Sequence, residues 1–216
     1  MLGCPLRAGG ARASVPLAQG RTELRGLDFC ATTGEHIGYE SWLERDWLIL
    51  LDADPQVAGI ASQPFWLHWH DGERMRRHAP DFFVRLVDGR GRVVDVRAAD
   101  RLDEAAVDAF EATERACRAV GWEFRRVGAV DPVLMGNMRW LSRYRRRRCL
   151  RQGVADRLLE VFSEPGPLRS GAVRVGDPLM VLPVLFHLLW SGVLVTDVSS
   201  RLLGSDSVVH VAGRTQ

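Results

Sequence analysis

The 216-residue sequence contains no lysine, so all 29 of its basic residues are arginine. Because these are set against 27 acidic residues, the formal net charge is only +2, and overall basicity does not indicate a polyanionic partner. A bias this complete is most simply an effect of genome composition. Any site that elsewhere uses lysine must therefore use another residue in this chain.

Clustered cysteines and long apolar runs are also missing. Cys4, Cys30, Cys117 and Cys149 are scattered and form no CxxC pair or other metal-binding spacing. We therefore expect free thiols in a reducing, cytoplasmic compartment. No apolar run reaches the ~18 residues of a membrane span, and the N-terminus lacks the apolar core of a signal peptide. No membrane association is expected.

The remaining composition, 46% hydrophobic and 26% charged, is ordinary for a globular protein. Residues 1–34, rich in Gly, Ala and Arg, are predicted as a mobile N-terminal arm with room for one short strand. Residues 35–131 are predicted as one domain in the order helix, three or four strands, helix, strand. That order is typical of an α/β fold with a mixed sheet.

The first predicted helix, over 39–51, has a clear start signal. Ser41 can cap it, and Glu44 stands three residues later, as in a capping box. Apolar residues then recur at helical spacing. Further elements of this domain are predicted as strands at 57–60, 65–70 and 122–127 and a helix at 102–120.

The chain changes character at Pro132. Residues 132–151 are predicted as a basic linker that is helical from Met135 onwards. It carries seven arginines: Arg139, Arg143, Arg145, Arg146, Arg147, Arg148 and Arg151. Within 152–216, helices at 152–162 and 178–190 and short strands at 193–195 and 208–211 are predicted. Helices followed by a two-stranded wing are typical of a small winged-helix domain.

The most informative stretch, 77–101, is predicted to contain a β-hairpin. Strands at 82–87 and 92–96 flank Asp88-Gly89. An Asp-Gly pair between two β-rich runs is a strong hairpin signal. The two outer ends of the strands are therefore expected to lie side by side.

Charged residues occupy those outer ends. Asp81 stands at the start of the first strand, roughly opposite Asp95 near the end of the second. Because side chains alternate along a strand, Asp95 and Arg97 project to the same side, with Val96 turned away. Two carboxylates and a guanidinium at one end of an apolar hairpin indicate a metal and phosphate site.

Structural alternatives exist for these residues. Asp81 could merely cap the start of a strand, and Asp95 could bridge to an arginine at a sheet edge. However, aspartate is depleted in ordinary strands. His68, His70 and His78 could suggest zinc, but His-x-His on a strand beside a polar turn is more typical of a surface feature.

The order of short motifs between residues 40 and 97 resembles that of the TnsA-like transposase endonuclease subunits. The motifs are Glu40-Ser-Trp-Leu-Glu44, Ser62-Gln63-Pro64, Ala79-Pro80-Asp81-Phe82 and Val94-Asp95-Val96-Arg97. The resemblance covers residues 35–130 and extends more weakly over 150–211. It implies a restriction-endonuclease-like PD-(D/E)xK core, with a mixed sheet flanked by helices, followed by a winged-helix domain.

The resemblance also implies a site for Mg²⁺, with Mn²⁺ able to substitute. Asp81, Asp95, the Val96 carbonyl and Glu44 would be its ligands, and Gln63 would lie beside it. Phosphodiester hydrolysis uses a divalent cation to polarise the phosphate and to activate water. Hard cations of this kind prefer oxygen ligands, which agrees with this set.

Two of these assignments leave alternatives open. Glu44 could be only the partner in the capping box, and Glu40, one turn earlier, could supply the acid instead. Gln63 precedes Pro64 in a loop, where a glutamine needs no special explanation.

Arg97 departs from the family pattern, which usually has lysine at this position. Arginine cannot serve as a general base because its pKa exceeds about 12. It can still hold phosphate oxygens with two parallel hydrogen bonds. Either the lysine-free chain retains activity with arginine, or the site is weakened.

The function implied is that of a Mg²⁺-dependent DNA endonuclease subunit of a Tn7-like transposition machinery. It would cut double-stranded DNA at transposon ends together with a DDE-type transposase subunit and an AAA+ ATPase regulator. The seven arginines of the linker would bind DNA, since clustered arginines neutralise phosphates; a solvated basic face is the alternative. A cytoplasmic protein that joins the nucleoid when DNA-bound is expected. The alternatives are a stand-alone restriction or repair nuclease and a catalytically silent DNA-binding or assembly subunit.

Overall fold

The first half of the chain folds around a four-stranded sheet. A computed structural model describes residues 26–98 and 103–213. The elements of this half are β1 (Gly26–Phe29), β2 (His36–Tyr39), α1 (Trp42–Ala53), β3 (Val57–Ser62), β4 (Leu67–His70), β5 (Met75–His78), β6 (Phe82–Leu86), β7 (Gly91–Val96), α2 (Glu104–Ala119) and β8 (Glu123–Val127).

The central sheet is mixed and has helices on both faces. Its strand order is β3-β6-β7-β8. The β3–β6 and β6–β7 pairs are antiparallel, and the β7–β8 pair is parallel. Leu48 and Leu51 of α1 pack with Phe82 on one face, and Cys117 of α2 packs with Val93 on the other. The predicted α/β fold with a mixed sheet, consistent with a restriction-endonuclease-like core, is confirmed.

The central hairpin forms as predicted. Gly89 adopts a φ of +86°, a conformation that favours glycine, and its amide donates to the Leu86 carbonyl at 3.0 Å. This turn pairs Phe82 with Val94 and Phe83 with Val93. Successive residues then face α1 and α2 alternately, so apolar side chains cover both sides of the pair.

The start of α1 is also confirmed. The Ser41 hydroxyl accepts from the Glu44 amide at 3.1 Å. The Glu44 carboxylate accepts from the Glu40 amide at 2.7 Å and from the Ser41 hydroxyl at 2.9 Å. These bonds satisfy amides that a helix N-terminus otherwise leaves without partners.

The second half is mainly helical. Its elements are α3 (Pro132–Leu141), α4 (Gln152–Val161), β9 (Gly166–Pro167), α5 (Leu168–Val175), α6 (Pro178–Trp190), β10 (Leu194–Val195) and β11 (Val208–Val211). The three short strands form an antiparallel sheet in the order β10-β11-β9. Leu158, Phe162, Val184 and Leu185 are the centre of its core. No helix within the described ranges is long and apolar enough to cross a membrane.

The prediction of one helix over 135–151 is wrong. The helix ends at Leu141, and two single 3-10 turns follow at 142–144 and 147–149. Like charges one helical turn apart, such as those of Arg143 and Arg147, destabilise an α-helix. The seven predicted DNA-binding arginines therefore do not share one helical surface.

Other elements were not predicted. The short strand allowed for in the arm is β1, and the turn to β2 follows it; residues 1–25 lie outside the described ranges. The elements β2, β5, β9 and α5 were missed. The sequence of β5, Met-Arg-Arg-His, has no apolar alternation, and α5 contains Gly171, a poor helix former. That glycine is required, because a Cβ there would lie 2.2 Å from the Phe162 ring.

A buried charge cluster joins the two halves. Arg145, only 8% exposed, makes an ion pair with Asp28 of β1, and its Nε lies 3.7 Å from Asp52 of α1. Asp52 also accepts from the Thr32 amide at 2.8 Å and from the Cys30 thiol at 3.2 Å. The arginine thus compensates carboxylates from two elements of the first half.

We expect Arg145→Ala to lower the free energy of unfolding by about 3–5 kcal/mol, because the buried carboxylate of Asp52 loses its counter-charge and Asp28 keeps only its ion pair with Arg45 among the described residues. Arg148→Ala, at an exposed position nearby, should change it by no more than ~0.5 kcal/mol. Urea denaturation followed by circular dichroism measures both. Equal stabilities would contradict a structural role for Arg145.

Candidate active site

Two aspartates meet at the edge of the sheet where β6 begins and β7 ends. The Asp81 amide donates to Asp95 Oδ1 at 3.3 Å, and the Val96 amide donates to Asp81 Oδ2 at 2.7 Å. Asp95 is 1% exposed, whereas Asp81 is half-buried. The structure thus brings together the two acids that the hairpin pattern singled out.

A histidine completes this cluster. His78 Nε2 lies 3.0 and 2.9 Å from the two carboxylate oxygens of Asp95. The His78 ring meets Phe110 of α2 edge-on, with centroids 6.3 Å apart. The sequence favoured a surface role for His78, and no signal in it indicated otherwise. Only the pairing of β5 with β4 turns His78 inwards while its neighbour Arg77 is exposed.

Gln63 lies beside Asp81. Its amide donates to the Asp81 carbonyl at 2.9 Å, and its side-chain Nε2 donates to the Glu40 carboxylate. Gln63 is 6% exposed and has a φ of +45°, which is uncommon for a residue other than glycine. Neighbouring contacts hold this conformation, so Gln63 has a defined position next to the acids.

The two glutamates at the start of α1 have different partners. Glu40 contacts Gln63, which links it to Asp81. Glu44, the acid favoured from the sequence, accepts the capping hydrogen bonds of its own helix. Glu40 thus reaches the site through Gln63. In the sequence, this role of Glu40 was indicated by its position one turn before Glu44.

Arg97 follows β7 directly. Its backbone amide donates to the Val127 carbonyl at 2.8 Å, which continues the pairing of β7 with β8. Strand alternation places its side chain on the face that carries Asp95. The side chain is exposed, and it forms no ion pair with any residue of the described ranges.

The acids fit part of a site for a hard cation. Within 26–98 and 103–213, no group of three or more His, Cys, Asp or Glu side chains is arranged to hold a metal ion. Mg²⁺ in phosphoryl-transfer sites commonly takes only one or two carboxylates and completes its shell with water and substrate phosphates. Asp81 and Asp95, joined through the Asp81 amide, supply the two carboxylates of that smaller requirement.

The negative charge of the site raises the pKa of a buried thiol next to it. Burial in the contact between α2 and the sheet raises the pKa of Cys117, and the carboxylate of Asp95 raises it further, to about 11. Burial and Asp52 likewise raise the pKa of Cys30. Both thiols therefore remain protonated near neutral pH.

The predicted DNA-binding arginines fall into two groups. Two are committed to ion pairs within the chain: Arg139 bonds the Asp46 carboxylate through two nitrogens, and Arg145 is buried against Asp28. The remaining five lie in or near the two 3-10 turns and are exposed or half-exposed: Arg143, Arg146, Arg147, Arg148 and Arg151. Arg139 is exposed as well, but Asp46 engages its guanidinium, whereas no arginine of the second group forms an ion pair within the described ranges.

We expect the rate of Cys117 alkylation to rise from pH 8 to pH 10 without a plateau, since the thiolate is the reactive form. Asp95→Asn should move this profile to lower pH, because removal of the carboxylate charge lowers the pKa of the thiol. Peptide-resolved mass spectrometry after brief iodoacetamide treatment measures the rate. Cys30, which is close to Asp52, is the control for loosened packing; a profile for Cys117 that does not move would contradict the electrostatic coupling.

Comparison with known families agrees with this geometry. Residues 54–127, about a third of the chain, match the family model described as TnsA-like endonuclease N terminal. The match spans β3 to β8 and includes Gln63, His78, Asp81, Asp95 and Arg97. The chain matches none of the curated proteins with which it was compared. The sheet that carries the paired aspartates therefore lies in a segment that matches the N-terminal domain of TnsA-like endonucleases.

Proposed function

We propose that this chain is the metal-dependent DNA endonuclease subunit of a Tn7-like transposition machinery. It would hydrolyse phosphodiester bonds at transposon ends together with a DDE-type transposase. The observation that carries this proposal is the convergence of Asp81 and Asp95 at one sheet edge, inside the segment that matches TnsA-like endonucleases.

The proposed cofactor is Mg²⁺, for which Mn²⁺ could substitute. Asp81, Asp95 and the Val96 carbonyl would hold the ion. When bound, such an ion polarises a phosphate and makes its water a better nucleophile. His78 fixes the direction of the Asp95 carboxylate through its contact with both oxygens, as outer partners of metal ligands commonly do.

The other polar side chains have distinct proposed tasks. Arg97 binds non-bridging phosphate oxygens and stabilises the charge that develops on them. Gln63 orients a water molecule or a ligand, and its bond to Glu40 fixes the side-chain amide. Glu44 supports the site indirectly, because it holds the first turn of α1 against which Glu40 is positioned.

We propose that DNA reaches this site through the second half of the chain. The solvent-open arginines around the two 3-10 turns suit the phosphate backbone, and binding through them should weaken steeply as salt rises. We propose that residues 152–211 form a winged helix, which the order helix, strand, two helices and two strands supports. This unit would dock on DNA or on a partner, the transposase or an AAA+ ATPase regulator.

We predict that Asp81→Asn and Asp95→Asn each lower cleavage by about 10³-fold or more, since several kcal/mol of charge stabilisation are lost. Both variants should also weaken Mn²⁺ binding, measured by calorimetry on the free protein. Asp88→Asn, at the opposite end of the same hairpin, is the matched control and should leave both quantities unchanged. Cleavage at the wild-type rate by either site variant would refute the proposed centre.

Arg97→Ala should abolish cleavage and leave DNA binding largely intact, because the guanidinium stabilises charge formed during the reaction. Arg97→Lys keeps a cation at this position and should retain cleavage to within about tenfold. Initial rates on a labelled duplex, with the transposase present, measure both variants, and Arg90→Ala in the hairpin turn is the control. Full cleavage by Arg97→Ala would exclude Arg97 from the catalytic set.

A second candidate function is that of a catalytically silent assembly subunit. Two observations favour it: arginine stands where the related nucleases use lysine, and no third acid joins the two aspartates within the described ranges. Cleavage assays on the full chain separate the possibilities. Cleavage only with a transposase supports the proposed subunit, cleavage by the chain alone supports a stand-alone nuclease, and no cleavage in either case supports the silent subunit.

A further inference from the structure

A second arginine stands beside the paired acids, on a neighbouring strand. In the parallel pairing of β7 with β8, Arg126 is the register partner of Asp95. Paired residues of adjacent strands are about 4.8 Å apart and project to the same face of a sheet. Arg126 therefore lies on the face that carries the Asp95 carboxylate.

Contacts with helix α2 place its charged group near His78, the neighbour of Asp95. The Arg126 guanidinium lies 5.8 Å from the centroid of the Phe110 ring. The same ring meets His78 edge-on, and His78 bonds to Asp95. Phe110 thus lies between the histidine and the arginine, and it supports the guanidinium without neutralising it.

The charge of Arg126 is not compensated within the described part of the chain. Its side chain is exposed, and none of the ion pairs among residues 26–98 and 103–213 includes it. Arg125, its neighbour in the strand, projects to the opposite face and lies 3.6 Å from Glu123. The two arginines therefore lie on the same strand and are both charged and exposed, but their side chains project from opposite faces of the sheet.

An exposed, uncompensated guanidinium beside a carboxylate pair suits a phosphate ligand. Its planar fork matches two phosphate oxygens. We propose that Arg126 binds a backbone phosphate of a DNA duplex next to Asp95 and so holds the strand to be cut, whereas Arg97 acts on the charge that forms at the scissile phosphate. This inference rests on the proposed nuclease function and adds a DNA-contacting residue to it.

The test is equilibrium binding of a fluorescently labelled DNA duplex to the full chain in metal-free buffer. Anisotropy titrations over a series of salt concentrations give an affinity and a salt slope. We expect Arg126→Ala to weaken binding roughly three- to tenfold at low salt and to reduce the slope by about one, the value for one lost phosphate contact. Arg126→Lys should preserve the slope, because the charge remains.

Arg125→Ala is the matched control and should leave affinity and slope close to those of the wild type. If Arg126→Ala and Arg125→Ala behave alike, or if the full chain binds no duplex at any salt concentration, the inference is overturned. Thermal unfolding of all variants shows whether a loss of binding reflects a loss of folding.

The binding assay contains no metal and no cleavage step, so it is independent of the proposed reaction. Loss of binding by Arg126→Ala together with full cleavage by the Asp81 and Asp95 variants would support the DNA contact while refuting the proposed centre. Normal binding by Arg126→Ala together with loss of cleavage by those aspartate variants would refute the contact alone.

Discussion

The register between β6 and β7 determines the chemistry available to this protein. Phe82 lies opposite Val94, so Asp81 and Asp95 share an edge and a face of the sheet. A slip of one residue would turn the Asp95 carboxylate towards α1, into the apolar contact between that helix and the sheet. Both apolar faces of the hairpin are covered, so the core fixes the register and thereby the position of the acids.

The features that could be predicted from sequence were local ones. The turn at Asp88-Gly89, the cap at Ser41 and the alternation of the central strands each depend on residues close together in the chain, and each is observed. The parts that could not be predicted depend on distant pairing. His78 contacts Asp95 in a strand that pairs with β4, and Glu40 reaches the site through Gln63.

The break after α3 has a similar explanation. A run of arginines resembles a basic helix when its sequence is considered alone, but Arg145 has buried partners in β1 and α1. Those carboxylates lie more than 90 positions earlier in the sequence, so no local pattern contains the information. The arginines therefore divide between the stability of the fold and the solvent-open surface.

Helix α1 belongs to both cores. Leu48 packs with the central sheet, whereas the adjacent Ile49 packs with Leu158 and Leu185 of the helical half. Trp47 adds a hydrogen bond of 2.7 Å to the Gly128 carbonyl, at the connection between the halves. A change in the packing of the second half can thus act on the helix that positions Glu40.

The strand that carries Arg125 and Arg126 is also the last strand of its sheet. An edge strand presents backbone groups to which another chain can add a strand, and charged side chains discourage such pairing. With one arginine on each face, β8 is protected on both sides. The same pair of arginines therefore limits self-association through the β8 edge of the central sheet.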